Sequence, residues 1–292
     1  MSLLEKERFK GERALFRSDG LTITDSVFED GESPLKESGN IELYNCSFEW
    51  KYPLWYCKNV TADSCRLAET ARAGIWYSDN VNMKNTVIDA PKTFRQCDGI
   101  TLHNINLTNA EETLWSCKNV KLSDVTAENA PYFAMNSENI DVNNLVMHGN
   151  YAFDGVKNVT VRNSRLITKD AFWNSENITV YDSYICGEYL GWNSKNLTFV
   201  NCTIESLQGL CYIENLKMIN CITENTTLAF EYSSVDADLK GFIGSVFNPG
   251  SGVIKAEHIG ELILEKDIID IDKTKIICDK IDKISEKPEW KL

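Results

Sequence analysis

Histidine, proline and long apolar runs are all scarce in this chain of 292 residues, and these scarcities exclude several protein classes. The chain has 3 His and 6 Pro, and its 10 Cys form no Cys-x-x-Cys pair. Zinc sites usually need such spacing, so we expect no metal and no cofactor. No stretch approaches the roughly 18 consecutive apolar residues of a membrane span, so we expect no membrane partner.

Positive charge is sparse as well. Lys and Arg number 30 against 43 Asp and Glu, which gives a net charge of −13. Nucleic acid backbones are bound by clustered Lys and Arg, and we find no such run, so we expect no nucleic acid partner. The opening segment MSLLEKERFKGERALF lacks the continuous apolar stretch of a signal peptide. Together with the ten cysteines, this predicts a cytoplasmic protein with reduced thiols.

What the chain does contain is a repeat. The phrase Asn-(Val/Ile/Leu)-x-apolar-x-(Asn/Asp/Ser) recurs with spacings of 19 to 21 residues. Self-similarity at this period indicates a solenoid, in which each turn buries its apolar face only against its neighbours. The Asn that opens each phrase is called the anchor here, and Gly replaces it twice. The anchors are Gly20, Asn40, Asn59, Asn80, Gly99, Asn119, Asn139, Asn158, Asn177, Asn196 and Asn215.

Within one repeat, residues 177–195, apolar and polar residues alternate in a way that predicts three short strands, at 178–181, 184–186 and 190–194. Three strands and three corners per turn predict an all-β fold, a right-handed parallel β-helix. It is a single-stranded solenoid of about eleven coils of 19-21 residues, and parallel crossovers favour the right-handed turn. The repeat spans 20–264. Because open sheet edges need covering, we expect residues 1–19 to form an N-terminal cap and 265–292 a C-terminal cap or tail.

Equivalent residues of successive coils should stack in ladders. Val161 and Val180 are predicted to point inward in one ladder and Leu166 in another. The anchor Asn residues should form a corner ladder, because Asn tolerates a left-handed backbone and its amide can bond the amide above. Two cysteine pairs, Cys46/Cys65 and Cys202/Cys221, would lie on neighbouring coils about 4.8 Å apart, close enough for a disulfide, although reduced thiols are the expectation.

Tryptophan marks the candidate functional surface. Five of the seven Trp lie four residues before an anchor, and alternation along the predicted third strand turns them outward. The corner just before this strand is rich in charged residues. Aromatic rings beside acids and bases are typical of carbohydrate sites. The expected substrate-binding residues are Trp173, Trp192, Arg95 and Trp115.

The same corner supplies the candidate catalytic residues. Asp170 and Glu188 hold neighbouring positions on adjacent coils, where paired carboxyl groups could act as acid and base or simply accept hydrogen bonds from hydroxyl groups. Lys169 could stabilise a developing anion. Arg95 would hold an acidic or phosphorylated group, although it lies several coils away.

Eight short segments carry a resemblance to a known family. They are GERALF (11–16), DGESPLKES (30–38), WKYPLWY (50–56), ARAGIWY (71–77), KDAFWN (169–174), GEYLGWNSKNLT (187–198), ESLQGLCY (205–212) and LAFEYS (228–233). Together they resemble the bacterial domain-of-unknown-function family 3737 over nearly the whole chain. The resemblance implies a fold similar to pectate-lyase-like right-handed β-helices, and it implies no reaction. The acidic clusters and Arg of calcium-dependent pectate lyases are not recognisable.

Two functions from different classes remain open. In the first, the protein binds or processes a carbohydrate on its Trp-lined face, with an oligosaccharide or an acidic small molecule as partner. In the second, the protein is a non-enzymatic scaffold whose Trp face is a protein interface, which implies a homodimer or larger homo-oligomer. The sequence leaves open whether the protein is an enzyme.

Overall fold

The computed structural model describes residues 2–288, which form two compact units divided after residue 152. Each unit is a parallel β-solenoid with essentially no helix. The prediction of an all-β parallel β-helix is confirmed. The solenoid has about 15 turns, more than the eleven predicted. The right-handed sense remains the expectation of the crossover rule.

The first unit contains fourteen of the described strands and one short 3₁₀ turn, Glu69–Ala71. Its strands are β1 Ser2–Glu5, β2 Arg8–Phe9, β3 Asp19–Thr24, β4 Val27–Phe28, β5 Gly39–Tyr44, β6 Ser47–Phe48, β7 Lys58–Asp63, β8 Arg66–Leu67, β9 Ile75–Trp76, β10 Asp79–Ile88, β11 Phe94–Arg95, β12 Asp98–Leu107, β13 Lys118–Ala127 and β14 Glu138–Gly149.

The second unit contains ten described strands and a second 3₁₀ turn, Ile271–Lys273. Its strands are β15 Lys157–Arg162, β16 Arg165–Thr168, β17 Glu176–Tyr181, β18 Tyr184–Gly187, β19 Lys195–Val200, β20 Thr203–Leu207, β21 Glu214–Thr227, β22 Ser234–Phe247, β23 Ser251–Ile263 and β24 Thr274–Ser285.

The core is built from ladders of equivalent residues. In the second unit β17 pairs in parallel with β15 on one side and β19 on the other, so that Val180 lies opposite both Val161 and Phe199. These three side chains are fully buried, as are Leu166 and Ile185 on β16 and β18. The predicted inward ladders are confirmed, because period-two alternation places every second side chain on the inner face.

The corner ladder of anchor residues is also confirmed. Asn59 and Asn177 have φ angles of 56° and 60°, the left-handed conformation that Asn adopts more readily than most residues. The Asn59 amide donates to Asn40 Oδ1 at 3.0 Å, and the Asn177 amide donates to Asn158 Oδ1 at 3.0 Å. These corners therefore hydrogen-bond to the corner of the neighbouring turn, whereas Asn119, which follows the anchor Gly99, donates to Asp98 Oδ1 at 2.6 Å instead.

The predicted strand at 190–194 is wrong in its conformation, although the residue before Trp192 is buried as predicted. Residues 190–194 form a turn, in which Gly191 and Asn193 have φ angles of 72° and 57°. The Gly191 amide still donates to Ala171 O of the preceding coil at 2.8 Å. Phe172, which holds the position of Gly191 in the preceding coil, is likewise left-handed, with a φ angle of 61°, and is fully buried.

The segments 1–19 and 265–292, expected to cap the ends, carry strands that continue the stacking. Residues 2–5 of β1 pair in parallel with residues 21–24, and β24 pairs in parallel with β23. Neither segment carries an anchor Asn at the repeat spacing, so the repeat phrase does not predict that either segment continues the stack of coils. Residues 1 and 289–292 of the expected caps lie outside the described residues.

All ten cysteines are free thiols in the described residues. Cys46 and Cys65 are buried, as are Cys202 and Cys221. Burial raises the pKa of the Cys202 thiol to about 12, which keeps it protonated and unreactive at neutral pH.

Candidate functional site

In the first unit, planar side chains form a continuous stack that we call the first-unit ladder. Trp55 and Trp76 stack with ring centroids 5.2 Å apart and an interplanar angle of 7°. The guanidinium carbon of Arg95 lies 4.7 Å from the Trp76 ring centroid and 5.0 Å from that of Trp115. Arg95 therefore occupies the place of an indole between two indoles, where a planar cation is attracted to both ring faces.

Four of the indoles are also hydrogen-bonded to the next coil through their N–H groups. The Nε1–H groups donate to a backbone carbonyl oxygen at the following corner, 16 to 18 residues further along the chain. The bonds are Trp55 to Ala73 at 2.6 Å, Trp76 to Lys92 at 2.8 Å, Trp173 to Tyr189 at 2.5 Å and Trp192 to Gln208 at 2.9 Å. Stacking occupies the ring faces and these bonds occupy the N–H edges, so the half-buried indoles present mainly their remaining edges to solvent.

A run of three adjoining cavities, the first-unit groove, follows the charged corner beside this ladder. The first has a volume of ≈ 410 Å³ and lies against Tyr52, Trp55 and Trp76. The second, ≈ 450 Å³, shares Arg72 and Pro91 with the first. The third, ≈ 500 Å³, shares Glu69 with the second and is lined by Arg66, Glu69, Asp89, Thr108, Asn109 and Asn129. The groove is thus aromatic at one end and polar at the other.

Most cations around the groove are already paired. Lys92 Nζ lies 3.0 Å from Glu112 Oε1, and Arg66 bonds Asp89 Oδ2 at 2.8 Å. Arg72 differs, because it is exposed and no carboxylate oxygen of residues 2–288 lies within 4.0 Å of its guanidinium. Arg72 is therefore free to bind an anionic group of a ligand.

The residues selected from the sequence fall in both units. Trp115 and Arg95 belong to the first-unit ladder, where Arg95 Nη2 bonds Glu112 Oε2 at 2.7 Å. The other five are in the second unit. Trp173 and Trp192 stack there with centroids 5.8 Å apart, and Tyr189 and Tyr212 pack edge-on against Trp192. The predicted use of these two indoles as a stacking floor for a sugar stays a prediction, and protein rings already occupy much of their surface.

Lys169, Asp170 and Glu188 lie together, as the positional reasoning predicted. Lys169 Nζ is 3.8 Å from Glu188 Oε2, and both side chains are about half exposed. Asp170 is only 1% exposed, and its Oδ1 has no hydrogen-bond partner. Burial raises the pKa of Asp170, with a further increase from the charge of Glu188, against an opposing effect of Lys169.

Asp154 completes this cluster and was not among the selected residues. It is 8% exposed and accepts a hydrogen bond from the backbone N–H of Trp173 at 3.3 Å. Burial, reinforced by the nearby charge of Asp170, raises the pKa of Asp154 to about 7. The available signal was its position four residues before Asn158, in the register of the tryptophans. We call Asp154, Lys169, Asp170 and Glu188 the second-unit acid cluster.

Two features are absent from the part of the chain that the structure describes. Nowhere in residues 2–288 do three or more His, Cys, Asp or Glu side chains come together as a metal site would require. No helix in this part of the chain is long and apolar enough to cross a membrane.

Comparison with protein families gives a match over residues 2–277 to the family described as "Protein of unknown function (DUF3737)", so the chain belongs to that family. No curated protein matches it. Among solved structures, the A-module of the mannuronan C-5 epimerase AlgE4 of Azotobacter vinelandii is 10% identical, with 98% of this chain and 88% of that chain covered and a TM-score of 0.30.

Two other solved structures are similar at the same distant level. The pentapeptide repeat protein HetL of Nostoc sp. strain PCC 7120 is 8% identical, with 78% and 85% of the chains covered and a TM-score of 0.23. The surface adhesin PfbA of Streptococcus pneumoniae is 9% identical, with 94% and 74% covered and a TM-score of 0.24. Similarity this low transfers no activity to this chain.

Proposed function

We propose that this member of the DUF3737 family binds an oligosaccharide that carries an acidic group, in the groove of its first unit. Sugars present both apolar ring surfaces and many hydroxyl groups, so a site needs aromatic and polar linings together. The first-unit groove offers both along one continuous path. The single observation that carries the proposal is Arg72, an exposed and unpaired cation shared by two of the three cavities.

Each part of the groove would make a different contact. Tyr52 lies tilted against Trp55 with ring centroids 4.6 Å apart, which leaves an aromatic surface at the groove end for a sugar ring. The ion pair between Lys92 and Glu111, 3.5 Å apart, supplies a donor and an acceptor for hydroxyl groups. Arg72 would bind the acidic group through its planar fork of N–H donors.

The test compares oligosaccharides of equal length, one set neutral and one set containing uronic acids, by thermal shift and then by calorimetric titration. A ligand that binds only the folded protein raises the melting temperature. We expect binding of the acidic set, and a loss of about tenfold or more in affinity in Arg72→Ala, in line with about 1.5–3 kcal/mol for a charge-assisted hydrogen bond.

The matched control is Lys121→Ala, which removes an exposed cation of the same unit that does not line the groove. Its affinity should equal that of the unchanged protein. Absence of any shift across both sets, or equal affinity in Arg72→Ala and Lys121→Ala, would overturn the proposal.

Self-association is the second candidate function, and one observation favours it. Tyr56 is 47% exposed and stacks on Tyr77 with centroids 4.8 Å apart, beside the first-unit ladder. Exposed aromatic side chains are enriched in protein interfaces. Sedimentation at several protein concentrations separates the two functions. A dimer that Tyr56→Ser weakens, together with unchanged behaviour of Arg72→Ala, would favour the interface.

A further inference from the structure

The short 3₁₀ turn Glu69–Ala71 and the residue after it present two opposite charges to the first-unit groove. Glu69 and Arg72 are both exposed, and both line the second cavity. Arg72 also lines the first cavity, whereas Glu69 also lines the third. The cation therefore stands toward the aromatic end of the groove, and the carboxylate stands toward its polar end.

The backbone of this turn is fixed to the preceding coil. Ala71 is fully buried, and the Thr70 hydroxyl group donates a hydrogen bond to Glu49 O. The carbonyl oxygen of Arg72 accepts a hydrogen bond from the Tyr52 N–H at 3.3 Å. The two charged side chains thus leave the chain from an anchored segment, which keeps their order along the groove.

The polar end of the groove carries an uncompensated negative charge. Within residues 2–288, no Lys, Arg or His nitrogen lies within 4.0 Å of the Glu69 carboxylate. Two cations line the same cavities, but both have other partners. Arg66 bonds Asp89 Oδ2 at 2.8 Å, and Lys51 Nζ lies 3.3 Å from Glu32 Oε1. A ligand group at this end therefore meets a carboxylate that is free to repel an anion or bind a cation.

The aromatic end has the opposite balance. The charged side chains that line the first cavity are Arg72, Lys92 and Glu111. Lys92 Nζ lies 3.5 Å from Glu111 Oε1, so these two charges offset each other and Arg72 supplies the excess. One groove thus favours an anion at one end and disfavours it at the other, which is the arrangement that discriminates between ligands by their charge pattern.

We propose that Glu69 is a specificity-determining residue, which makes the groove select oligosaccharides that alternate acidic sugars with neutral or amino sugars. An alternating chain can bind with an acidic group at Arg72 and an uncharged or cationic group at Glu69. A chain of acidic sugars alone cannot avoid placing a carboxylate beside Glu69, in whatever register it binds. The inference rests on the carbohydrate binding proposed above and adds the charge of the neighbouring sugar.

The test compares three tetrasaccharides by calorimetric titration of the full chain at pH 6. The first contains only galacturonic acid, and the second alternates glucuronic acid with N-acetylglucosamine. The third is the second after removal of its acetyl groups, which leaves cationic amino groups. We expect the third to bind best and the first to bind worst, with steps of about two- to fivefold, the range typical of exposed charge pairs.

Substitution of Glu69 separates its charge from the other differences between these sugars. Glu69→Gln should tighten binding of the all-uronic tetrasaccharide and weaken binding of the amino-bearing one, each by about two- to fivefold. Glu69→Lys should bind the all-uronic tetrasaccharide about tenfold tighter than the unchanged protein does. The control is Glu12→Gln, which removes the same charge from an exposed site of the first unit outside the groove and should change no affinity. Because the charges are exposed, 1 M salt should reduce all these differences.

The outcomes distinguish this inference from the proposed function. If the unchanged protein binds none of the three tetrasaccharides, the proposed function falls and the inference falls with it. If it binds any of them, the inference alone is overturned when Glu69→Gln leaves the affinity ratio of the all-uronic to the amino-bearing ligand unchanged. A change of that ratio in Glu12→Gln as large as in Glu69→Gln overturns it too. Circular dichroism checks that each variant is folded, as expected for changes at exposed side chains.

Discussion

Arg95 stands where neighbouring turns of the first unit carry tryptophan, and its chemistry follows from that place. Its guanidinium is flanked by the rings of Trp76 and Trp115 and bonds Glu112 at 2.7 Å. Lysine has a compact charge without a planar face, so it could not continue such a stack. The expectation that Arg95 binds an acidic group of a ligand is untested, and among residues 2–288 no carboxylate pairs with Arg72, the groove cation that could do so instead.

The first prediction at the residue scale concerns Asp154 and pH. Its pKa lies near 7 in the folded protein against 3.8 for the unperturbed group, so between these values the folded state holds more protons than the unfolded state. Stability therefore falls as pH rises from about 4 to about 7, by on the order of 4 kcal/mol for three pKa units. Asp154→Asn should remove this fall and be the more stable protein at pH 8.

Denaturant unfolding at pH 5 and pH 8 measures the effect, with Asp236→Asn as the control. The informative quantity is the difference between Asp154→Asn and the unchanged protein, since other groups titrate equally in both. If that difference were the same at both pH values, Asp154 would have an ordinary pKa.

The sequence predicted some features of the site residues and missed others. The register of Trp55 and Trp173 is readable, because alternation between inward and outward residues survives in the repeat. The hydrogen bonds from their indole N–H groups to the next coil could not be predicted from the sequence. They depend on where the backbone carbonyl of that coil lies relative to the ring. Asp154 was visible in the same register, but its burial and its hydrogen bond from the Trp173 N–H depend on the stacking of the next coil.

Among the elements, the corners combine a stabilising contribution, the amide hydrogen bonds, with a backbone cost at one residue. Asn177 has a φ of 60°, and its amide donates to Asn158 while its Oδ1 accepts from Asn196 at 2.8 Å. The left-handed backbone costs about 1 kcal/mol or more for a residue with a Cβ, and glycine escapes that cost. The two contributions can therefore be separated by substitution.

We predict that Asn177→Ala destabilises the protein more than Asn177→Gly. Alanine loses the amide bonds and also strains the backbone, whereas glycine loses only the bonds, each about 0.5–1.5 kcal/mol. The expected gap is about 1 kcal/mol in unfolding free energy, measured by denaturant titration at one pH. Equal destabilisation by both variants would mean that the corner stores no backbone strain.

The third segment of the coil at 177–195 shows why an element can be misread from sequence, although β9 and β11 are short strands at the same position in the first unit. Residues 190–194 read as a strand in the sequence, yet Gly191 and Asn193 are left-handed, and Leu190 and Gly191 are buried in succession. The pattern therefore predicts that Phe172, the residue before Trp173, is buried, but it does not fix the backbone conformation.

On the scale of the whole molecule, stacking order governs local stability. Each turn contacts mainly its sequence neighbours, so stability is close to a sum of nearest-neighbour terms. In the second unit β24 pairs only with β23 among the described residues, and Ile277 and Ile284 on it are 42% and 69% exposed. β17 is paired on both sides, and Val180 on it is fully buried.

We therefore predict that amide hydrogen exchange begins at β24 and reaches β17 later. Opening β24 breaks one interface and exposes little buried surface, whereas opening β17 breaks two. Exchange followed by mass spectrometry at neutral pH gives the order directly. Simultaneous exchange of both strands would show instead that the second unit opens as one cooperative block.

The in-register pairing of turns also constrains how the gene can change in length. One residue added inside β17 would turn its remaining side chains from the core to solvent, away from Val161 and Phe199. Removal of the 19 residues from one anchor to the next, as between Asn177 and Asn196, returns the chain to the same point of the turn. Homologues of different length should therefore differ by whole turns of about twenty residues, gained or lost by duplication and deletion of single repeats.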